Sequence, residues 1–216
     1  MKLIEISDLL YSYGSKKPLF DQLKLKLETG NIYGLLCKNG AGKSTLLKII
    51  SGLLFPESGD VSVMGHRPID RNPSFLQDVF LLTEEFELPS MSIKRYVQFY
   101  ACFYPKFSEE LFQSFLEEFK LDRSAELNSL SYGQKKKFLL SFGLATNSQL
   151  VILDEPTNGL DIPSKSQFRK VVARAMDNDR TFIISTHQVR DMEGLIDPII
   201  ILDEGEIIFN EGSESI

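Results

Sequence analysis

The chain has 216 residues, and its 43% hydrophobic and 25% charged content supports one large globular unit while excluding a disordered or fibrous chain. A formal net charge of −6 argues against a broad electrostatic grip on nucleic acid. The longest apolar runs, such as Leu150–Leu153 and Ile199–Leu202, fall far short of the roughly 20 residues that span a bilayer. Met1–Glu5 lacks the apolar core of a signal peptide and two cysteines, Cys37 and Cys102, make no disulfide framework, so a reducing cytoplasm is the expected compartment.

Leu3–Ile6 and Leu23–Leu27 place apolar residues on alternate positions, which predicts strands of a half-exposed antiparallel sheet. Asn31–Leu36 then reads as a short apolar strand. It is followed by Cys37-Lys38-Asn39-Gly40-Ala41-Gly42-Lys43-Ser44-Thr45, a phosphate-binding P-loop whose first glycine is replaced by Cys37. Gly40 and Gly42 give the backbone the freedom to converge several N–H groups on one anion, and Leu46, Leu47, Ile49 and Ile50 continue as an apolar helix whose N-terminus faces that anion. Lys43 is positioned to reach the outer phosphates and Ser44 to offer a hydroxyl to Mg²⁺.

Gly59–Met64 and Val79–Leu82 add further short strands, separated by Pro56, Pro68 and Pro73. From Ser92 to Asn147 the helical period dominates. Ser108 is a predicted N-cap with Glu109 and Glu110 in the first turn, and Leu111, Phe112, Phe115, Leu116 and Phe119 form the face to be buried. The preceding aromatics Tyr96, Phe99, Tyr100, Phe103 and Tyr104 are expected chiefly in core packing, with docking of a partner as the other reading. Lys135, Lys136 and Lys137 read as a solvated helix face, and His66 as surface.

Beyond Gln149 the continuous apolar runs Leu150–Leu153, Thr181–Ser185 and Ile199–Leu202 suit parallel strands covered on both faces. A helix over Ser164–Met176 completes a βαβ unit, and Gly205–Phe209 closes a hairpin after the turn Asp203-Glu204-Gly205. The expected fold class is α/β: a P-loop NTPase core with an N-terminal antiparallel β subdomain and an inserted helical subdomain. Asp154 and Glu155 end the first of the three strands at the carboxyl edge where ligands bind in parallel sheets. Asp154 there suits Mg²⁺, and Glu155 suits a carboxylate that polarises a water attacking the γ-phosphate.

Leu130-Ser131-Tyr132-Gly133-Gln134 narrows this reading, because it resembles the LSGGQ signature of the ATP-binding cassette (ABC) family with Tyr132 in place of the first glycine. The order of P-loop, helical lobe, signature, Asp154-Glu155, Asn158-Gly159-Leu160-Asp161 and His187 extends the resemblance over nearly the whole chain. It implies a single ABC ATPase domain, with residues 1–88 and 148–216 as nucleotide-binding core and 89–147 as helical subdomain. It also implies ATP and Mg²⁺ as ligands, His187 as a γ-phosphate contact, Asp161 in the D-loop and Tyr13 stacked on adenine beside a core Tyr11. Glu84 falls where the family often has the Q-loop glutamine, and is a further oxygen donor for Mg²⁺.

In the family the signature faces the ATP held by a second subunit, so the resemblance implies half-sites completed head to tail by another cassette, in a homodimer or a heterodimer. It further implies a cytoplasmic subunit, peripheral on the inner membrane face, that drives transport through separate transmembrane partners contacted by the helical lobe and Glu84–Ser90. The segment Tyr33–Leu54 is most similar to exporter-type cassettes. A soluble ABC ATPase acting on ribosomes or DNA, and a regulatory module without turnover, are the rival readings; one cassette, net acidity and the presence of both Lys43 and Glu155 count against them. At Cys37 a small thiol fits if the backbone avoids positive φ, and the sharper expectation is a thiol of lowered pKa whose oxidation blocks ATP binding.

Overall fold

Strict alternation in the second strand sets the first layer. The computed structural model describes residues 2–14, 17–38 and 40–211, and in it Phe20, Leu23, Leu25 and Leu27 point inward while the charged residues between them face solvent. This strand, β2 (Phe20–Glu28), pairs antiparallel with β1 (Lys2–Tyr11), which also pairs with β4 (Ser58–Val63), giving a three-stranded sheet of order β2-β1-β4. It is the half-exposed sheet that the alternation predicts.

The second sheet has six strands in the order β5-β6-β7-β3-β8-β9. Its members are β3 (Ile32–Cys37), β5 (Val79–Leu82), β6 (Leu150–Asp154), β7 (Thr181–Ser185), β8 (Ile199–Asp203) and β9 (Glu206–Glu211). All its pairs are parallel except β8 with β9, which turn on Glu204-Gly205, both at positive φ as a two-residue hairpin of the I′ pattern requires. Val79–Leu82 therefore belongs with the parallel strands, paired to β6.

Side chains alternate across this sheet, so each strand feeds two cores. Leu150, Ile152 and Ile183 pack with the antiparallel sheet and with helix α1 (Lys43–Ile50), whereas Val151, Leu153, Phe182 and Ile184 pack under the helices. After α2 (Pro73–Leu76), three longer helices lie between β5 and β6: α3 (Ile93–Tyr100), α4 (Glu109–Glu118) and α5 (Tyr132–Ala145). Helix α6 (Ile162–Ala175) joins β6 to β7, starting and ending slightly before the range expected from sequence because Asp161 caps it and Pro163 occupies its first turn.

Helix α4 begins at Ser108, whose Oγ accepts from the Leu111 N–H at 3.2 Å, and buries Phe112, Phe115 and Leu116. Each such burial stabilises by about 1.5–3 kcal/mol. Gly143 inside α5 lets Phe80 lie flat against the helix backbone, since a Cβ there would fall within the Phe80 ring. The aromatic run before α4 divides. Tyr96 and Tyr104 pack against Phe142, but Phe99, Tyr100 and Phe103 are exposed, against the expectation of core packing for the whole run. His66 is half-buried rather than fully at the surface, with its ring 6.0 Å from that of Phe75.

Candidate active site

The glycine-rich loop leaves β3 and enters α1 through Gly42, which caps the helix with φ of 103°. A Cβ on Gly42 would lie 2.7 Å from the Phe20 ring, so both the backbone angle and the space demand glycine. This brings the free N–H groups of the first turn of α1, and the positive end of its dipole, to the carboxyl edge of the parallel sheet. Asn39 lies outside the described residues.

Cys37 is the last residue of β3, in extended backbone paired with Leu202, so the first position of the motif does not need glycine here. Burial pushes its thiol pKa up, and Lys43 offsets only part of that effect. That direction runs against the expectation of a thiol of lowered pKa.

Asp154 and Glu155 arrive from the end of β6, both buried. Asp154 accepts from Ser44 Oγ through Oδ2 at 2.5 Å and from Ser185 Oγ through Oδ1. Glu155 pairs with Lys43 through Oε1 and lies 3.0 Å from His187 Nδ1 through Oε2. On its other side the His187 ring meets the side chain of Gln188, with Nε2 3.0 Å from the amide nitrogen. Glu155 is held in left-handed backbone, φ 47°, where its N–H donates to Ser185 Oγ at 2.9 Å.

Lys43, Ser44, Glu155 and His187 open on a cavity of about 610 Å³ lined also by Tyr13, Cys37, Lys38, Thr45, Glu84 and Asn158, a volume within the ordinary range for ligand sites. A larger cavity of about 710 Å³ beside Arg190 and Ile199 lacks the glycine-rich loop. Tyr13 is half-exposed at the mouth, edge-on to buried Tyr11 at 5.1 Å, with its hydroxyl 2.8 Å from Thr45 Oγ1. Glu84 reaches the rim, but its carboxylate accepts from Asn158 Nδ2 at 2.8 Å.

The signature residues do not line this cavity. Ser131 is the N-cap of α5 and forms a full capping box with Gln134, an arrangement in which the cap alone contributes about 0.5–2 kcal/mol. Ser131 and Gln134 are exposed, and Gly133 is half-exposed. Tyr132 stacks on Phe86 at 5.2 Å and donates its hydroxyl proton to the Glu84 carbonyl at 2.6 Å. Asp161 is likewise outside the cavity, capping α6 by accepting from the Ser164 N–H. Hydrogen bonding from the Ser164 side chain, and then from its N–H, holds the Asp161 carboxyl below the usual aspartate pKa.

Lys136 departs from the reading of a solvated lysine run. It is fully buried, and Nζ donates to the carbonyls of Glu155 at 3.0 Å and Asn158 at 2.9 Å. Desolvation lowers its pKa, opposed by the charges of Glu84, Glu155 and Asp154. Ser185, which bonds both the Asp154 carboxylate and the Glu155 N–H, is the other residue of this cluster not singled out from sequence. Its place at the carboxyl end of an apolar strand is the signal that marks it.

A family model described as ABC transporter matches residues 20–158. The chain belongs to the ABC transporter family. This ABC chain is 30% identical to the SkfA peptide export ATP-binding protein SkfE of Bacillus subtilis, over 96% of itself and 88% of that protein. It is 28% identical to the Nod factor export ATP-binding protein I of Rhizobium etli, over 96% of itself and about two thirds (67%) of that protein. A solved structure of an ATP-binding subunit of an ABC transporter superposes with a TM-score of 0.89 at 25% identity, covering 99% of this chain and 91% of the other. The chain is therefore an ABC ATPase, an ATP-binding subunit of a transporter, and its P-loop NTPase fold with an antiparallel β subdomain is that of its structural relatives. No helix among the described residues is long and apolar enough to cross a membrane.

Proposed function

We propose that this ABC ATPase powers export through separate integral membrane subunits, hydrolysing Mg²⁺-ATP at sites that two copies of the chain complete head to tail. The observation that carries this is the gathering of Lys43, Ser44, Glu155 and His187 on one cavity, with Asp154 bonded to Ser44 behind it, from which the signature end of α5 is absent. A helix N-terminus displayed away from its own P-loop suits the phosphates of an ATP bound by another copy.

In this reading the amides of Gly40–Thr45 and Lys43 neutralise the triphosphate, Tyr13 stacks on the base, and His187 donates to the γ-phosphate. A phosphate entering between Lys43 and Glu155 takes over the lysine and frees the carboxylate. Glu155 then accepts a proton from water as its oxygen attacks the γ-phosphorus, with ADP as the leaving group. Ser44 Oγ and Asp154 Oδ2 are two hard oxygen donors 2.5 Å apart, and these two side chains would hold Mg²⁺. Bound there, Mg²⁺ neutralises charge on the phosphate oxygens. Glu84, engaged by Asn158, bounds the site as a further oxygen donor.

Residues 1–88 and 148–216 act as the nucleotide-binding core and 89–147 as a helical subdomain that meets the membrane partner on the cytoplasmic face. Exposed Phe99 and Phe103 support that contact. Export follows the names of the two relatives above, and nucleic acid is not a partner. Affinity capture from detergent-solubilised membranes is expected to recover an integral membrane protein with the chain. Recovery of ribosomal proteins alone overturns the transport reading.

A further inference from the structure

The buried ammonium of Lys136 lies where the two halves of the proposed mechanism meet, because α5 begins at the signature and passes directly behind the turn that carries Glu155. Nζ donates to the Glu155 carbonyl at 3.0 Å and to the Asn158 carbonyl at 2.9 Å, and sits 5.3 Å from the centre of the Tyr132 ring. The Asn158 N–H also donates to the Glu155 carbonyl, at 3.2 Å. One cation thus closes the turn from both ends.

That turn has a strained start. Glu155 has φ of 47° without being glycine, a conformation that persists only where its surroundings over-determine it. On the N–H side the constraint is Ser185, whose Oγ accepts from the Glu155 N–H at 2.9 Å. On the carbonyl side it is Lys136. The side chain between them points its carboxylate at Lys43 and His187. The two sets of bonds fix the backbone on either side of the Glu155 Cα, from which the carboxylate projects into the cavity. A lysine with no exposed surface is otherwise costly to bury, and here both hydrogen-bond partners are backbone carbonyls of the catalytic turn.

We propose that Lys136 is a positioning residue for ATP hydrolysis, holding the Glu155–Asn158 turn so that the Glu155 carboxylate faces the γ-phosphate, and tying that orientation to the seating of the signature end of α5. The cation reads both ends of the helix start: Tyr132 beneath it is fixed by Phe86 and the Glu84 carbonyl, so displacement of the signature pulls on the same ammonium that fixes Glu155. The inference rests on Glu155 being the base of the proposed reaction.

The test is a double-mutant cycle on the purified chain with Mg²⁺-ATP, measuring turnover and, separately, nucleotide affinity. Lys136→Met is expected to lower kcat by about 10- to 100-fold, the scale of a misplaced catalytic group, with ATP affinity changed less than about twofold. Lys136→Arg, which keeps the donors, is expected to recover part of that loss. In a Glu155→Gln background, Lys136→Met is expected to alter the residual rate by less than about twofold, because the group it positions is already gone. Equal losses in both backgrounds, or a loss of affinity that accounts for the rate, overturn the role of Lys136. If Lys136→Met does not fold, Lys136→Gln takes its place in the same cycle and is judged by the same outcomes. Unchanged turnover in Glu155→Gln alone instead removes Glu155 as the base.

Discussion

Glu155→Gln hydrolyses ATP about 10²-fold more slowly than the parent chain, or slower still, while nucleotide affinity is retained. The amide has the size of the carboxylate and can still accept from Lys43 or His187, so the cavity keeps its shape. What it loses is the capacity to take a proton from water. Substrate then accumulates in place of product, and the variant gathers into a dimer with Mg²⁺-ATP that disperses with ADP. Single-turnover kinetics and light scattering measure both halves of this result. Undiminished turnover dismisses Glu155 as the base.

Lys43→Ala acts on binding as well as rate. Hydrogen bonds to charged groups contribute about 1.5–3 kcal/mol each, so losing the lysine weakens ATP binding by about 10- to 100-fold and removes charge compensation in the transition state too. Its effect on kcat/KM is therefore larger than its effect on either constant alone. The substitution also strips Glu155 of an ion-pair partner at a position where the carboxylate side chain is only 4% exposed. Thermal unfolding without nucleotide is expected to show a stability loss of about 1–3 kcal/mol, moderated because the pair borders an open cavity. Titration of a fluorescent ATP analogue separates the two effects, and unaltered nucleotide affinity contradicts the role given to Lys43.

These residues were legible in the sequence because their chemistry is local. A strand, a glycine-rich turn and a helix in immediate succession define a phosphate cradle, and an apolar strand ending in two carboxylates marks the sheet edge where ligands bind. Contacts between distant segments were less legible. Lys136 read as one of three exposed lysines because nothing local says which one turns inward. In the fold α5 is central, buried almost all round from Phe138 to Ala145, so its polar start has no clear outer face to signal direction. Val79–Leu82 could have joined either sheet, since a short apolar run fits both. Cys37 was open to two readings until its burial and extended backbone were known.

The shared site is the central claim, and it is tested by mixing two inactive forms. Lys43→Ala keeps the signature but loses the P-loop lysine. Gly133→Asp keeps the P-loop but sets a carboxylate at the anion-binding end of α5, and its Cβ has room, with its nearest neighbour at 3.5 Å. Random pairing of equal amounts gives mixed dimers in which one site has both intact halves. ATPase activity is expected to return to about a quarter of the parent level, set by the number of intact sites. Activity that stays at the sum of the two inactive forms contradicts a site completed by a second copy.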